Sequence, residues 1–179
     1  GAHRALWNVL GAHVMTHEGV DGTRFAVWAP NARRVSVIGD FNGWDGRRNP
    51  MRQRGQTGVW EIFMPDLGEG EAYKYELHDQ NGTLLPAKAD PFGFGAEHPP
   101  KTASVVRDIR GFDWTDGAWM TKREAAQRTD QPISVYEVHL GSWKLVAEDG
   151  NRPLSYLEHA TQLVGYARDM GFTHIELMP

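Results

Sequence analysis

The chain has 179 residues, of which 40% are hydrophobic and 11% aromatic, enough for the core of one domain or slightly more. The absence of cysteine excludes a disulfide scaffold and a thiolate metal site, and it fits a reducing compartment, so we expect a cytoplasmic protein. A formal charge of −4 argues against a nucleic-acid partner, and no apolar run approaches the roughly 18 residues that cross a membrane. We expect neither a metal nor a cofactor.

Residues 1–20 are predicted to be a lead-in segment that ends in an edge strand. The stretch Thr23–Asp45 follows it and predicts two strands joined by a turn. In the first strand, Phe25 and Val27 alternate with other side chains in the period-2 pattern of a strand whose two faces differ. A proline-containing turn breaks this pattern, and the apolar residues at 35–38 resume it.

The loop that ends the second strand holds Phe41 and Trp44 among short polar side chains. A flat aromatic ring with polar neighbours suits a sugar, because the ring can contact the sugar's C–H face while polar groups bind its hydroxyls. The alternative is that Trp44 only covers the core of its own domain. A basic cluster follows this loop, and we interpret it as a solvated hairpin rather than a nucleic-acid patch; it consists of Arg47, Arg48, Arg52 and Arg54.

Further short strands with turn signals between them are predicted at 58–65, 72–78, 83–85 and 102–106. In the second of these, Tyr73 and Tyr75 lie on one face and Lys74 lies on the other. The pair Asn81-Gly82 marks a tight hairpin after it. Several short strands separated by turns indicate an immunoglobulin-like (early-set) β-sandwich, which we expect to cover residues 21–108.

Residues 109–131 lack a clear pattern and are predicted to be a linker with one short helix. In residues 132–179, an apolar run near each end predicts a strand, and Ser155 with Glu158 forms a capping box at the start of the helix between them. Such a unit has parallel strands, and a parallel sheet of two strands cannot be covered on both faces. We therefore expect the chain to be a piece of a longer protein.

Six phrases occur in order along the chain: FAVWAPNARRVSVIGDFNGWDGRR, GVWEIFMPDLGEGEAYKYE, KADPFGF, PISVYEVHLGSW, LSYLEH and MGFTHIELMP. Together they resemble the bacterial glycogen branching enzymes (1,4-α-glucan branching enzymes) of the α-amylase superfamily, from about Gly1 to Pro179. The resemblance implies a mainly β chain: a starch- or glycogen-binding-type sandwich followed by the first βαβ unit of a truncated (β/α)8 barrel. It also implies a glycosyltransferase that moves a cleaved α-1,4 glucan chain to a 6-hydroxyl and so makes an α-1,6 branch.

The same resemblance implies that the catalytic residues lie outside this sequence. The family's aspartate nucleophile and glutamate acid/base stand at the ends of the fourth and fifth barrel strands, with carboxylates about 5 Å apart. The chain holds only the first two strands, so we expect no catalytic residue in it and no activity from the chain alone. We interpret Glu137 and Glu176 as buried or interface-paired structural carboxylates and His139 as a packed, hydrogen-bonded residue. For Trp143 we leave two alternatives open: it lines a glucan path, or it packs against the sandwich.

Glycogen-binding modules that act alone resemble the sandwich, and this implies a sugar site at Trp44 and Lys74. The match is partial, because the second tryptophan expected near Gly82 and the asparagine expected near Ser104 are absent. We therefore expect weak binding of α-glucan, with the missing barrel domain of the same protein as the other partner. Two alternatives stay open: a glycogen-binding module without catalysis, and the N-terminal part of another α-amylase-superfamily enzyme, either debranching or trehalose-forming.

Overall fold

A computed structural model describes residues 4–178 of the chain. The chain forms two compact units that divide between Asp113 and Trp114, inside the predicted linker. Each unit has its own sheets and its own buried side chains, so we describe each by itself. Within residues 4–178, no helix combines the length and the apolar character that a bilayer crossing requires.

The first unit is built from antiparallel strands: β1 (Gly11–His17), β2 (Val20–Trp28), β3 (Arg34–Gly39), β4 (Arg52–Gln53), β5 (Val59–Pro65), β6 (Ala72–His78), β7 (Gly95–Ala96) and β8 (Ser104–Val105). The first sheet has the order β1-β2-β5-β4, and the second sheet has the order β3-β6-β8-β7. Short 3-10 helices lie at Leu6–Asn8 and Asp40–Asn42.

The two sheets pack face to face through the side chains that alternate inward. Phe25 of β2 meets Tyr73 of β6 edge to face, with ring centroids 4.8 Å apart. Both rings are fully buried, as are Val35 and Val37 of β3. The alternation predicted for the long strands is therefore confirmed, and the first unit is the expected immunoglobulin-like β-sandwich.

Part of the predicted lead-in, residues 1–20, belongs to the first sheet. β1 pairs with β2 along its whole length, with Gly11 opposite Ala26 and His17 opposite Val20. β2 is the neighbour of β1 in the sheet order, and β1 stands at the edge. The predicted edge strand is therefore confirmed, and it is one of the strands of the sandwich.

The return strand predicted at 83–85 is wrong. In its place the chain makes a turn, with one isolated bridge between His78 and Leu84. Asp79 explains the difference, because its carboxylate accepts hydrogen bonds from the backbone N–H groups two and four residues ahead of it. These bonds hold the chain in a turn where a hairpin ladder would otherwise continue.

A buried carboxylate ties the long segment between β6 and β8 to the middle of the second sheet. Asp90 Oδ2 accepts hydrogen bonds from the hydroxyls of Tyr73 (2.7 Å) and Tyr75 (3.0 Å). The Asp90 Oδ1 atom accepts from Phe92 N–H, and the Asp90 N–H donates to Ser104 Oγ, each at 2.8 Å. Burial raises the pKa of Asp90 above its ordinary 3.8, and the tyrosine hydrogen bonds oppose that rise.

The second unit contains α1 (Gly117–Ala126), β9 (Val135–His139), α2 (Leu140–Trp143), β10 (Leu145–Val146), β11 (Arg152–Pro153), α3 (Tyr156–Asp169) and β12 (His174–Met178). β9 and β12 pair in parallel, and β10 and β11 form a small antiparallel hairpin. The predicted strand–helix–strand unit is therefore confirmed. The short helix α2, directly after β9, was not predicted, because four residues carry no helical period.

Helix α3 begins at the predicted capping box. Ser155 Oγ accepts from Glu158 N–H at 3.3 Å, and the Glu158 carboxylate accepts from Ser155 N–H at 2.7 Å. Hydrogen bonds from the Arg152 guanidinium and from Ser155 lower the pKa of Glu158 to about 2. Gly171 follows the helix with φ of 84°, a conformation in which a glycine has no Cβ to clash.

One face of α3 is buried against its own unit and the other is exposed. His159, Leu163 and Ala167 form the buried face, one helical turn apart. Leu157 and Val164 are apolar but are 83% and 54% exposed. Helical spacing alone could not have told these two faces apart, because both are rich in apolar residues.

We expect the Asp90 cluster to contribute measurably to stability. Tyr73→Phe removes one donor and should lower the free energy of unfolding by about 1 kcal/mol, whereas Asp90→Ala leaves several buried groups unpaired and should cost about 3 kcal/mol. Urea unfolding of the whole chain measures both changes, with Tyr166→Phe in the second unit as the control. The double variant should cost less than the sum of the two single variants, and an additive result would contradict a shared hydrogen bond.

Asp90 and Glu158 should titrate on opposite sides of their ordinary values. The pKa of Asp90 is raised above 3.8, so stability should fall as pH rises through its folded-state pKa. The pKa of Glu158 is about 2 instead of 4.5, so its contribution should be present above pH 4.5 and lost as pH falls toward 2. Carboxyl NMR titration checks the order, and an Asp90 midpoint below that of Glu158 would refute it.

Candidate carbohydrate-binding site

The aromatic loop after β3 is closed by a buried amide. Asn42 Nδ2 donates to Val37 O (3.0 Å) and to Asn49 Oδ1 (2.8 Å), and Asn42 Oδ1 accepts from Gly39 N–H (3.0 Å). The side chain thus connects the end of β3 to the far side of the loop. Because a buried amide with satisfied hydrogen bonds resists displacement, the loop has one well-defined conformation.

Trp44 is the aromatic residue that this loop presents to solvent. It is 39% exposed, and its indole N–H donates to Asp40 Oδ1 at 2.7 Å. Its backbone N–H donates to Gly39 O at 2.9 Å. The φ angle of Trp44 is 59°, in the left-handed region that residues other than glycine seldom adopt. The edge of the indole is therefore held by the protein, while ring surface stays accessible to a ligand.

The other aromatic residue of the loop, Phe41, does not reach this surface. Its ring packs against the core and stacks on Phe25, with centroids 6.4 Å apart and an interplanar angle of 28°. Phe41 therefore belongs to the sandwich interior. Of the two aromatic residues that the sequence brought together, only Trp44 is available to stack on a sugar.

The loop lies over the outer face of the second sheet. Gly46 approaches Glu76 so closely that a Cβ at Gly46 would meet the carboxylate at 2.1 Å, and Arg34 donates to the Gly46 carbonyl at 2.5 Å. Lys74 lies on this same face, because Tyr73 and Tyr75, the residues on either side of it in β6, point into the core. The Trp44 loop and Lys74 therefore share one face of the sandwich.

The strand register brings Lys74 to the same end of that face as Trp44. Lys74 pairs with Ile38, which precedes the Gly39 carbonyl that receives the Trp44 N–H. The Lys74 Nζ atom donates to Thr102 Oγ1 at 2.7 Å. An ammonium group has three donors, so two remain for the hydroxyls of a ligand.

The second tryptophan and the asparagine of related glycogen-binding modules are absent from the sequence, and the residues at those two positions do not replace their sugar contacts. Leu84, in the turn after β6, is 57% exposed and offers no polar group. Ser104 is 3% exposed, and its Oγ faces inward and accepts from the Asp90 N–H. The candidate site therefore consists of one ring, one ammonium group and the Asp40 carboxylate, which suits a neutral polyol better than a charged ligand.

The rim of the loop carries a paired charge. Asp45 accepts from the Arg47 guanidinium at 2.7 Å and from the Arg47 N–H at 3.0 Å, and it lies 3.9 Å from Arg48. The Arg47 hydrogen bonds hold the pKa of Asp45 well below its usual range, so this carboxylate stays ionised. The other two arginines of the predicted basic cluster lie elsewhere, on the first sheet.

The second unit places Glu137 and Glu176 side by side, since β9 and β12 pair these two residues directly. Both are exposed, on the sheet face opposite to Tyr136 and Val138. Within residues 4–178, neither carboxylate has a hydrogen-bond or ion-pair partner. The chain by itself does not supply the burial or pairing expected for these two side chains.

His139 and Trp143 make contacts inside their own unit. His139 Nδ1 lies 2.9 Å from Ser142 Oγ, at the exposed end of β9. The Trp143 indole N–H donates to the Tyr136 hydroxyl at 3.1 Å, and its ring contacts Tyr166 at 5.9 Å between centroids. Trp143 is therefore part of an aromatic cluster under α3.

Comparison with known families identifies the sandwich. Residues 9–93 match the family model of carbohydrate-binding module 48 (isoamylase N-terminal domain). The matched range contains Trp44 and Lys74 and extends from just before β1 to just before β7.

The whole chain is 71% identical over 179 residues to the 1,4-α-glucan branching enzyme GlgB of Roseobacter denitrificans. The chain spans 24% of the length of that relative and matches its N-terminal region.

Solved structures agree with the fold of this chain. The crystal structure of a putative alpha amylase from Salmonella typhimurium aligns with a TM-score of 0.62 and 22% identity, covering 96% of this chain and 24% of that one. The GBS pullulanase SAP in complex with maltotetraose aligns with a TM-score of 0.61 and 19% identity, covering 95% of this chain and 23% of that one. At these identities the likeness shows the fold alone.

Two side-chain contacts in the sandwich were not predicted. Asp40 holds the Trp44 indole, and Thr102 holds the Lys74 ammonium group. The first pair is four residues apart, and an acidic residue at that distance from an exposed tryptophan is a usable sequence signal. The second pair joins distant positions and has no local signal.

Among the described residues, no group of three or more His, Asp or Glu side chains could hold a metal ion.

We predict that Trp44→Ala weakens the affinity of this chain for maltoheptaose about threefold to tenfold, the value of one aromatic stacking contact. Trp28→Ala is the matched control, because Trp28 is also exposed and its indole N–H also has an acceptor, Thr57 O. Isothermal titration calorimetry measures both variants. An equal loss in the two would remove Trp44 from the site.

Proposed function

We propose that this chain is the N-terminal part of a 1,4-α-glucan branching enzyme that forms α-1,6 branches in glycogen. One observation carries the proposal: the identity of 71% to a protein named as such, over the whole of this chain. Because the chain spans 24% of that relative, the branching activity is assigned to the longer protein and not to this chain by itself.

The second unit then represents the first βαβ unit of a (β/α)8 barrel. β9 and β12 are parallel and are joined through α3, the order that such a barrel repeats. The sheet face away from α3 exposes apolar side chains, including Val135 (44%) and Met178 (40%). A parallel sheet buries both faces in stable proteins, so further barrel strands are the expected partner of this exposed face.

The proposed chemistry requires two carboxylates from those further strands. An aspartate would attack the anomeric carbon of an α-1,4 linkage while a glutamic acid protonates the departing O4, which leaves a covalent glycosyl-enzyme. The same glutamate would then take the proton from a glucan 6-hydroxyl as that oxygen attacks the anomeric carbon and breaks its bond to the aspartate, which leaves as a carboxylate. Glu137 and Glu176 are not assigned these roles, because each lies within its strand and not beyond the C-terminal end.

The sandwich contributes glucan contact through Trp44 and Lys74. The match to a carbohydrate-binding module over residues 9–93 supports this role. A single ring adds only about 0.5–1.5 kcal/mol beyond the area it buries, which ordering of a flexible glucan largely offsets. The sandwich would therefore hold α-glucan weakly and act by raising its local concentration near the barrel. We place the protein in the cytoplasm, which the absence of cysteine supports.

Two other functions are less well supported. A binding module without catalysis would not need the strand–helix–strand unit of residues 135–178. A debranching or trehalose-forming enzyme of the same superfamily shares the architecture. The identity of 71% to a branching enzyme, against 19% and 22% to the pullulanase and putative amylase structures, favours branching.

The proposal predicts that the pure 179-residue chain forms no α-1,6 linkages on amylose, while the full-length Roseobacter denitrificans relative does. The iodine stain of amylose and the count of reducing ends after isoamylase digestion report branch formation. Fusion of this chain to the remaining part of that relative should restore activity. An inactive, folded fusion would argue that the chain belongs to a different enzyme, and activity of the isolated chain would place the catalytic carboxylates within it.

A further inference from the structure

An open cavity of about 800 Å³ lies on the outer face of the first sheet. We call it the arginine groove, after Arg24, Arg52 and Arg54, which line it. Its volume lies within the roughly 300–1,000 Å³ of small-molecule sites. The groove is on the opposite side of the sandwich from Trp44 and Lys74, so the two surfaces can be tested independently.

The strand register gathers the side chains of the arginine groove on one face. Arg24 of β2 lies between His13 of β1 and Phe63 of β5. Arg52 of β4 lies opposite Glu61, two residues before Phe63 on β5. Since residues two apart on a strand share a face, these side chains all point away from the core.

The charges in the arginine groove are unbalanced. Glu61 is the partner of both Arg52 (3.1 Å) and Arg54 (3.4 Å), and its side chain is only 12% exposed. Arg24 is half-buried and has no carboxylate partner in the part of the chain that the structure describes. Three guanidinium groups against one carboxylate leave a formal surplus of two positive charges.

The rest of the groove offers apolar and aromatic surface. The rings of His17 and Phe63 lie 5.3 Å apart between centroids and are tilted by 57°. The side chain of Met15 also lines the cavity. A ring edge and apolar side chains beside a cationic cluster suit a ligand with one charged end and one compact ring.

We propose that the arginine groove binds a sugar phosphomonoester, with the phosphate against Arg24 and Arg52 and the sugar ring on Phe63. At pH 7 a phosphomonoester carries nearly two negative charges, which matches the surplus. Guanidinium forks bind phosphate oxygens in pairs, with bonds about twice as strong as neutral ones. A neutral glucan would leave the charge of Arg24 half-buried and unpaired, which disfavours it as the occupant.

The existing ion pairs do not block such a ligand. The side chains of Arg52 and Arg54 are 83% and 64% exposed, and they share the mostly buried Glu61 carboxylate. Arg52 can therefore turn toward a phosphate while Arg54 keeps Glu61 paired. Arg24, which lies between His13 of β1 and Phe63 of β5, has no ion pair in the described part of the chain to break before it contacts the phosphate.

In the test, the 179-residue chain is titrated separately with glucose 6-phosphate, glucose and inorganic phosphate. Calorimetry and amide NMR shifts measure the binding. Glucose 6-phosphate should bind at least tenfold more tightly than either of the others and should shift residues of β1, β2 and β5. Its affinity should fall as ionic strength rises, because the contact is between charges. Equal affinity for glucose, equal affinity for inorganic phosphate, or insensitivity to salt would each overturn the proposal.

Variants then assign the contact. Arg24→Gln should weaken glucose 6-phosphate binding at least tenfold, since it removes a charge-assisted pair. Arg48→Gln is the matched control: Arg48 is an exposed arginine near Asp45, outside the groove, and its loss should change nothing. Folded Arg24→Gln with unchanged affinity would refute the site. If circular dichroism shows that Arg24→Gln is unfolded, Arg52→Gln takes its place, with a severalfold loss expected and no loss refuting the site.

The same titration separates this proposal from the glucan site. Trp44→Ala should leave the affinity for glucose 6-phosphate unchanged while it weakens maltoheptaose binding. The proposal does not rest on the branching function, because no residue of the arginine groove takes part in the Trp44 and Lys74 site. A loss of both ligands in Trp44→Ala would contradict the independence of the two surfaces.

Discussion

The second sheet depends on one buried carboxylate. Asp90 accepts hydrogen bonds from the hydroxyls of Tyr73 and Tyr75, and its backbone N–H donates to Ser104 Oγ of β8. A buried charge of this kind is tolerated only because its oxygens are hydrogen-bonded, so the long segment that carries it cannot move without breaking the cluster. Successive side chains of β6 point to opposite faces of the sheet. The tyrosines that bind Asp90 point inward, and Lys74 therefore points outward. The position of Lys74 therefore depends on a hydrogen-bond cluster that it does not touch.

The two outer faces of the sandwich have different chemistry. One carries an exposed indole and an ammonium group over the second sheet, and the other carries the arginine groove over the first sheet. A formal charge of −4 for the whole chain conceals this difference, because it sums the charges of both faces and of both units. Since every strand in a sandwich has one inward and one outward face, a shared core can support two unrelated surfaces.

Much of this fold follows from local pattern. β2, β5 and β6 alternate clearly, and α3 carries its own capping box. The two-residue strands β4 and β7 have no such pattern, and each exists only as the partner of a neighbouring strand. In the candidate site, Trp44 and Lys74 could be named from the sequence. Their orientation could not, because the hydrogen bond from Lys74 to Thr102 joins residues far apart in the chain. The arginine groove escaped prediction for the same reason, since its members come from separate strands.

The backbone of Trp44 has a consequence beyond ligand contact. At φ of 59° a residue with a Cβ is strained by about 1–2 kcal/mol, whereas glycine is not. The domain thus keeps a bulky residue where its own folding would prefer the smallest one. A thermostability screen run without any sugar should enrich glycine at this position, and the variants it yields should be more heat-resistant and worse at holding glucan. At Trp44, the residue that would best stabilise the fold and the residue proposed to contact glucan are therefore different.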